Sequence, residues 1–295
     1  MIDLCIGTAQ FGFDYGLANI HGQPSDEEIQ AIVTLALEND VACFDTAQAY
    51  GASEVKLGRA LLPHRGEDRV RIISKFHPDY RHNNGSGLLD AVEKSLDKLQ
   101  VENLYGLLTH RWENIPDWIQ FVPDAEEIRD KGLVKHFGVS VYEPDEALSA
   151  VEHDIVDIIQ IPCNILDHRW FLGNFFEKAA DRNKKVFVRS IYLQGLLLMP
   201  PEQIQAQGLE WMNVHLQPYW SFLSENDLDA RTFAMGALAY KCPDATLIVG
   251  VETAQQLLEN IKLSRHGENM RKIAEHWWSQ PPDMPLRILN PALWN

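Results

Sequence analysis

The sequence predicts an α/β protein, a single-domain (β/α)8 TIM barrel with parallel strands, from three observations. Short apolar runs typical of buried strands alternate with amphipathic helical stretches, eight times along the chain. The composition does not change at any point that would mark a boundary, so residues 1–295 are expected to form one domain. No Gly-x-Gly-x-x-Gly follows a predicted strand, which argues against the alternative of an open doubly wound sheet.

The predicted strands are short runs of aliphatic and β-branched residues bounded by polar loops. They lie at residues 4–8, 41–44, 70–76, 104–109, 134–141, 155–161, 185–190 and 246–251. A capping box formed by Ser25 and Glu28 opens the first helix, and Ser53 opens the second. Further helices are expected at 89–99, 117–131, 144–151, 171–182 and 253–262, with one more ending at Tyr240. Loops are expected at 9–12, at a turn over 83–85 and through the irregular stretch 193–217.

Charge and composition limit the classes of partner. The net charge is −16 and no cluster of Lys and Arg offsets it, so nucleic acid is not an expected partner. No apolar run approaches the roughly 18 residues of a membrane span, and the first residues lack the pattern of a signal peptide. Cys5, Cys43, Cys163 and Cys242 lie in apolar runs and are predicted to be buried, reduced thiols. We therefore expect a cytoplasmic protein that acts on a small molecule; the sequence does not predict its oligomeric state.

Four ionisable residues stand at or just beyond the C-terminal ends of predicted strands, where barrel enzymes carry their active sites. They are Asp45, Tyr50, Lys75 and His110. A lysine ammonium beside a phenol is expected to lower the pKa of the phenol, and a carboxylate keeps that lysine charged. A histidine can orient a substrate oxygen. Together the four side chains suit proton donation to a developing alkoxide, as in carbonyl reduction or its reverse.

Two other functions stay open at the level of the residues alone. Lys75 could serve as the Schiff-base amine of a barrel lyase or isomerase. The barrel could also bind a cofactor as a regulatory or sensing subunit without turnover. No metal is expected, because no set of histidines, cysteines and carboxylates has the spacing of a metal site.

The order and spacing of several short motifs resemble the aldo-keto reductase superfamily, and the likeness runs through nearly the whole chain. The matching segments are Gly7-Thr8, Asp45-Thr46-Ala47, Tyr50-Gly51, Ser53-Glu54, Leu57-Gly58, Ser74-Lys75, Leu108-Thr109-His110, Gly138-Val139-Ser140, Gln160, Ile248-Val249-Gly250 and Leu257-Leu258-Glu259-Asn260.

This resemblance implies a barrel that binds an extended nicotinamide cofactor across its top and exchanges hydride with an aldehyde, a ketone or a sugar-like carbonyl. By position, Tyr50 would be the proton donor, Lys75 and Asp45 would tune it, and His110 would orient the carbonyl. The start of the chain resembles reductases linked to bacterial sugar metabolism, which favours a sugar-like substrate.

The resemblance also implies a set of cofactor-binding residues. Ser140 and Gln160 match the positions that hydrogen-bond the nicotinamide amide, and Thr253, Glu259 and Asn260 match positions around the adenosine. The remaining members of the predicted set are Gly7, Thr8, Arg189, Ser190, Gly250 and Gln256.

Three departures from the family pattern concern the cofactor. Val141 follows Ser140 where the family usually has Asn, and Arg189 replaces an aromatic residue that commonly stacks on the nicotinamide ring. A guanidinium plane can also stack on a ring. Members that prefer NADP carry basic residues just after strand eight and four residues before the Asn, where this chain has Gly250-Val251-Glu252 and Gln256. The resemblance thus implies NADP, while the absence of this 2′-phosphate clamp leaves NAD open.

Overall fold

A computed structural model of the protein describes residues 2–81, 87–115, 117–266 and 270–294. Eight parallel strands, each hydrogen-bonded to its neighbours in chain order, form a closed barrel in which the last strand pairs with the first. They are β1 (Leu4–Gly7), β2 (Cys43–Asp45), β3 (Arg71–Lys75), β4 (Leu104–Thr109), β5 (Val134–Ser140), β6 (Val156–Pro162), β7 (Lys185–Arg189) and β8 (Thr246–Gly250). The predicted (β/α)8 barrel is confirmed.

Helices follow every strand, and the described helices include short additional ones at the loops and the end of the chain. They are α1 (Ala9–Gly12), α2 (Asp26–Glu38), α3 (Ser53–Leu61), α4 (Leu88–Leu99), α5 (Trp118–Asp130), α6 (Pro144–Val151), α7 (Phe175–Asp181), α8 (Pro201–Ala206), α9 (Asn213–Glu225), α10 (Ala230–Lys241), α11 (Ala254–His266), α12 (Arg271–Ser279) and α13 (Leu286–Leu289). As expected, α2 begins after Ser25, whose side chain accepts from the backbone N–H of Glu28.

Several loop predictions were wrong. Residues 9–12 form one helical turn, and much of 193–217 is helical rather than irregular. The prolines in that stretch suggested a loop, but Pro201 occupies the first position of α8, where a missing N–H costs no hydrogen bond. The helix predicted to end at Tyr240 is two helices, because Asp229 accepts from the N–H of Thr232 and starts α10. The predicted turn at 83–85 lies outside the described residues.

Two layers of inward-facing side chains fill the upper half of the barrel. The lower layer is an apolar cluster drawn from seven strands: Cys5, Cys43, Ile73, Leu108, Ile158, Phe187 and Ile248. Successive side chains of a strand alternate between its two faces. The layer above therefore comes from residues two positions further on, and these include polar groups: Asp45, Lys75, Gln160 and Arg189. Strand alternation thus delivers charged and amide side chains to one end of an otherwise apolar interior.

The helices pack around the barrel through a larger apolar core of outward-facing strand residues such as Phe44, Ile72 and Val139. All four cysteines are buried and unpaired, as predicted. Within the described ranges, no helix is both long and apolar enough to cross a bilayer.

Candidate active site

A cavity of about 490 Å³ lies at the C-terminal ends of the strands. Asp45, Tyr50 and His110 line it, and Lys75 lies beneath its surface, fully buried. The four residues come from β2, the loop after β2, the end of β3 and the residue after β4. The structure therefore brings together the four residues that the sequence places at strand ends.

Asp45 and Lys75 form a buried ion pair. The Nζ atom of Lys75 donates to both carboxylate oxygens of Asp45, at 2.7 and 2.6 Å, and to the carbonyl oxygen of Thr46 at 3.0 Å. The side chains of Lys75 and Asp45 are only 1% and 5% exposed. Mutual attraction offsets the cost of desolvating the two charges, whereas either charge alone would be strongly unfavourable here. All three N–H bonds of the ammonium are thereby occupied.

The loop that carries Tyr50 is fixed by a small network of buried hydroxyl groups. Thr8 donates to the carbonyl oxygen of Asp45 at 2.9 Å, and Ser53 donates to the carbonyl oxygen of Thr8 at 2.7 Å. The hydroxyl oxygens of Thr46 and Ser53 lie 2.9 Å apart. These bonds join the ends of β1 and β2 to the start of α3, so the phenol is held on a rigid base. The side chain of Thr8, predicted to bind cofactor, is part of this base.

Aromatic and cationic groups surround the ring of Tyr50. The Lys75 Nζ atom lies 5.1 Å from the ring centroid. The rings of His110 and Phe13 meet it edge to face, with centroids 5.8 and 6.1 Å away. These contacts define the orientation of the phenol at the floor of the cavity.

The expectation that Lys75 lowers the pKa of Tyr50 is wrong. Burial and the Asp45 carboxylate raise the pKa of Tyr50 above its usual value, and Arg189 opposes them only in part. Lys75 donates its three N–H bonds to Asp45 and to the carbonyl oxygen of Thr46, so none is left to stabilise a phenolate. Tyr50 is therefore protonated at every physiological pH, which is the form that a proton donor requires.

His110 is neutral in the folded protein. Burial, followed by the positive charges of Lys75 and Arg189, lowers the pKa of His110 to about 3. A neutral imidazole can donate one hydrogen bond to an oxygen without adding a charge to the site. His110 thus has the protonation state needed to orient an uncharged carbonyl.

Ser140 and Gln160 continue the polar network across the barrel. The side-chain N–H of Gln160 donates to Oδ1 of Asp45 at 2.8 Å, and the hydroxyl of Ser140 donates to the Gln160 carbonyl at 3.4 Å. Gln160 is fully buried, whereas Ser140 lines the cavity. The two residues predicted to hold a nicotinamide amide are therefore adjacent, and they connect directly to the Asp45–Lys75 pair.

Arg189 and Ser190 line the cavity at the end of β7. The guanidinium carbon of Arg189 lies 4.6 Å from the centroid of the Tyr142 ring, and its Nη2 atom donates to the carbonyl oxygen of Val141 at 3.3 Å. Within the described part of the chain, Arg189 forms no ion pair with a carboxylate. Arginine here replaces the aromatic residue that the family pattern predicts, and the ring of Tyr142, two residues beyond the end of β5, packs against it.

A second polar group lies where β8 leads into α11. Glu252 and Gln256 line the cavity and are bonded to each other: Gln256 donates to Oε2 of Glu252 at 2.6 Å, and the Glu252 N–H donates to the Gln256 side chain at 2.9 Å. Thr253 accepts from the N–H of Gln256 at 3.2 Å. Glu28, from α2, accepts from the N–H of Ala254 at 2.6 Å.

One turn further along α11, Asn260 is fully buried. Its Oδ1 atom accepts from the hydroxyl of Tyr192 at 2.8 Å and from Arg231 at 3.5 Å. Its Nδ2 atom has no hydrogen-bond partner within the described residues. Arg231 also lies 3.8 Å from the carboxylate of Glu259. An unpartnered buried amide is costly, and the two side chains that donate to Asn260, Tyr192 and Arg231, line the cavity.

The predicted residues therefore divide into a lining set and a supporting set. The predicted cofactor residues that line the cavity are Gly7, Thr8, Ser140, Arg189, Ser190, Gly250 and Gln256. Gln160, Thr253 and Asn260 are not part of the lining and contact it through the hydrogen bonds described above, whereas Glu259 contacts it through its ion pair with Arg231.

Several lining residues were missed by sequence reasoning. Tyr142 could have been predicted, because it lies two positions after Ser140, just beyond the C-terminal end of a strand, where barrel enzymes carry active-site residues. Three others carry no such signal. Tyr15 lies in a loop, Tyr192 lies next to the stretch 193–217 that was expected to be irregular, and Arg231 lies on α10.

A short bridge spans one side of the cavity. The carbonyl oxygen of Gln194 accepts from the N–H of Leu17 at 2.9 Å, and its side chain donates to the hydroxyl of Tyr15 at 3.3 Å. A Cβ atom on Gly195 would lie 2.4 Å from the Cβ atom of Ala18. The loop after β1 and the segment after β7 are thus in direct contact above the barrel.

A family model described as "Aldo/keto reductase family" matches residues 3–277 of the chain. The chain belongs to this family. The resemblance that the sequence motifs indicate is confirmed.

Curated relatives of this aldo/keto reductase family member include two named oxidoreductases. D-arabinose 1-dehydrogenase from Saccharomyces cerevisiae is 28% identical over 197 residues, which are 61% of this chain and 59% of the relative. The chloroplastic pyridoxal reductase from Arabidopsis thaliana is 30% identical over 157 residues, which are 46% of this chain and 40% of the relative. The chain thus spans about half the length of these relatives.

Solved aldo-keto reductases share the fold at low identity. The holo form of an aldo-keto reductase from Bacillus halodurans superposes with a TM-score of 0.73 at 17% identity, covering 98% of this chain and 95% of that one. One from Klebsiella pneumoniae, solved in complex with NADPH, gives a TM-score of 0.70 at 16% identity, covering 96% of this chain and 92% of that one.

Proposed function

We propose that the protein is an NAD(P)-dependent oxidoreductase that interconverts a carbonyl compound and its alcohol, with Tyr50 as the proton donor. The observation that carries the proposal is the floor of the cavity. There a protonated phenol lies above a buried Lys75–Asp45 pair and beside a neutral His110. Membership of the aldo/keto reductase family supports the same reaction class.

In the reductive direction each residue has a distinct task. His110 donates a hydrogen bond to the carbonyl oxygen and fixes its position beside the phenol. Tyr50 transfers its proton to that oxygen as negative charge develops on it. The Lys75–Asp45 pair sets the electrostatic surroundings of the phenol and holds its ring in place. A bound nicotinamide cofactor supplies or accepts the hydride.

The residues around the cavity fit a nicotinamide dinucleotide. Ser140 and Gln160 are proposed to bind the nicotinamide amide, with Arg189 and Ser190 beside the ring. Gly7 and Thr8 lie at the end of β1, and Gly250 lies at the end of β8. The unpartnered amide of Asn260, together with Thr253, Gln256 and Glu259, is proposed to surround the adenosine. NADP is favoured by the family pattern and by the NADPH bound to the Klebsiella relative. Glu252 and Gln256, which stand where NADP-binding members carry basic residues, favour NAD.

The Schiff-base alternative is less consistent with the geometry than the proposed function. A Schiff-base lysine needs a free lone pair, but all three N–H bonds of Lys75 are donated within a buried ion pair. Borohydride trapping of a substrate on Lys75 would support that alternative. A purely regulatory barrel would bind the cofactor tightly and oxidise none of it across a broad carbonyl panel.

The substrate is proposed to be a small aldehyde, ketone or sugar-like carbonyl. The relatives named D-arabinose 1-dehydrogenase and pyridoxal reductase guide the choice of panel. A screen of sugars, aldehydes and ketones, in both directions and with both NADPH and NADH, would identify the class. A cytoplasmic location is proposed together with this function.

Substituting Tyr50 by Phe tests the proposed proton donor. Because the change removes only the hydroxyl group, turnover should fall by about 10²–10⁴-fold while cofactor affinity stays nearly unchanged. Tyr105→Phe, at the opposite end of the barrel, is the matched control and should keep full turnover. Cofactor affinity is measured by quenching of tryptophan fluorescence. A loss of less than about tenfold in turnover would refute the role of Tyr50.

A further inference from the structure

We propose that the ribose end of this site selects the unphosphorylated dinucleotide, NAD(H), through the carboxylates of Glu28 and Glu252. The inference rests on the proposed function, because it concerns the same cofactor site. Its motivation is that this chain places two acids at the junction of β8 and α11. At that junction a 2′-phosphate would require basic groups and free backbone donors.

Three of the backbone donors at the junction are already used. A helix N-terminus can bind a phosphate only if its N–H groups point freely at the ligand. Here the N–H of Ala254 donates to Glu28, the N–H of Gln256 donates to Thr253, and the N–H of Glu252 donates to the side chain of Gln256. The favourable end of the α11 dipole is therefore occupied by a carboxylate of the protein itself.

The charges at this end are also unfavourable for a phosphate. Glu252 lines the cavity, and Glu28 lies on the neighbouring helix within hydrogen-bond distance of α11. Arg231 lines the cavity as well, but its guanidinium lies 3.8 Å from Glu259, so its charge is partly neutralised. A dianionic 2′-phosphate here would be repelled by the carboxylates of Glu28 and Glu252. Repulsion between like charges in a partly buried site is poorly screened by salt.

The same arrangement suits a ribose diol. One oxygen of Glu252, Oε2, accepts from Gln256, and that bond fixes the carboxylate in the cavity wall. The other oxygen accepts no hydrogen bond from the described residues, so it can receive one from a hydroxyl group. A carboxylate that accepts from the ribose 2′-hydroxyl is the usual device by which proteins select NAD over NADP.

Titration of the intact protein with NADH and NADPH, followed by tryptophan fluorescence, tests the inference without relying on turnover. NADH should bind at least about tenfold more tightly than NADPH, a difference of about 1.4 kcal/mol. Equal affinity, or tighter binding of NADPH, overturns the inference and leaves the proposed function standing. Binding of neither nucleotide overturns both.

Three variants separate charge from structure. Glu28→Gln keeps an oxygen that can accept from Ala254 but removes the charge, so NADPH should bind more tightly and NADH should be unaffected. Glu252→Gln removes both the charge and the best ribose acceptor, so NADH should weaken as NADPH gains. Glu27→Gln is the matched control: it makes the same change one residue away on an exposed side chain and should leave both affinities unchanged. Equal effects of Glu27→Gln and Glu28→Gln would overturn the inference.

Discussion

Tyr50 and His110 are both uncharged at neutral pH, although three charged groups surround them. Lys75 and Asp45 lie beneath the phenol, and Arg189 stands at the edge of the same cavity. Burial penalises an added charge on either ring, and the nearby charges act in the same direction: Asp45 disfavours a phenolate, and the cations disfavour an imidazolium. The site therefore keeps two neutral hydrogen-bond donors inside a strongly polar frame.

The low pKa of His110 has a consequence for stability. Its pKa is about 3 when folded and about 6.5 when unfolded, so between these values only the unfolded state takes up the proton. His110 should therefore lower the free energy of unfolding as the pH falls below 6.5, by about 2 kcal/mol at pH 5. Urea titrations at pH 8 and pH 5 should show a smaller loss for His110→Gln than for the unmodified protein.

The control for that experiment is His21→Gln, which removes an exposed histidine of the same size. It should lose as much stability between the two pH values as the unmodified protein. If His110→Gln behaves in the same way as His21→Gln, then His110 is accessible to protons in the folded state, and its assignment as a neutral group would be wrong.

At the scale of elements, the segment that leaves β7 contains three residues in an unfavourable backbone conformation. Ser190, Leu193 and Gln194 have φ angles of 63°, 49° and 53°, in the left-handed region that non-glycine residues rarely occupy. Such conformations persist only where surrounding contacts enforce them. Here those contacts include the bridge from Gln194 to Leu17 and Tyr15. The strained segment and the loop after β1 thus shape one wall of the cavity together.

Gly195→Ala should disrupt this wall. Gly195 has a φ of 88°, and an added Cβ atom would lie 2.4 Å from that of Ala18. We expect the clash to cost about 1–3 kcal/mol of the free energy of unfolding, in addition to about 1–2 kcal/mol of backbone strain, and we expect weaker dinucleotide binding. Gly208→Ala is the matched control: its φ is 72°, but nothing lies within 4 Å of the added atom. Gly208→Ala should cost only the backbone strain, about 1–2 kcal/mol, and should leave dinucleotide binding unchanged. Equal weakening of binding in both variants would contradict the role of the Gln194 bridge in shaping the cavity wall.

At the scale of the whole molecule, a strongly acidic protein is proposed to bind an anionic cofactor. The net charge is −16, and the cations Arg189 and Arg231 are confined to the cavity. Long-range repulsion therefore acts on a dinucleotide before it reaches those local contacts. Salt screens the long-range field more effectively than contacts inside a cavity.

The association rate constant of NADH should consequently rise several-fold between about 20 and 300 mM NaCl, as measured by stopped-flow tryptophan quenching. Free nicotinamide is uncharged and provides a control whose association should not respond to salt. A rate constant that falls with salt would mean that the cavity arginines govern the approach of the dinucleotide.

Much of this architecture is predictable from local patterns. The eight strands appear within a few residues of their expected places, because buried strands are apolar whatever surrounds them. The same alternation explains why Asp45, Lys75 and Gln160 converge: each is two positions beyond an apolar inward residue. The stretch 193–217 was wrongly predicted to be irregular, because in a sequence a proline at the first turn of a helix looks the same as a proline in a loop.

Electrostatic detail was less predictable than position. The pKa of Tyr50 depends on burial and on the tight pairing of Lys75 with Asp45, and neither can be inferred from sequence spacing. Glu28 belongs to the capping box that predicts the start of α2, but nothing in that pattern indicates that its carboxylate also reaches Ala254. Contacts between residues distant in the chain decide both cases.

The carboxylate of Asp45 joins the two halves of the proposed reaction. Its Oδ1 atom accepts from Lys75, which lies under the proposed proton donor, and from Gln160, which belongs to the group proposed to hold the nicotinamide. Coupling between two sites is reciprocal, because the free energy by which one affects the other is the same in both directions. A contact that draws Gln160 away from Asp45 is therefore expected to change the electrostatic surroundings of Tyr50, and the reverse effect of the Tyr50 hydroxyl on cofactor affinity is expected to be equally small. The groups proposed to transfer the proton and to hold the nicotinamide are thus connected through one oxygen atom of Asp45.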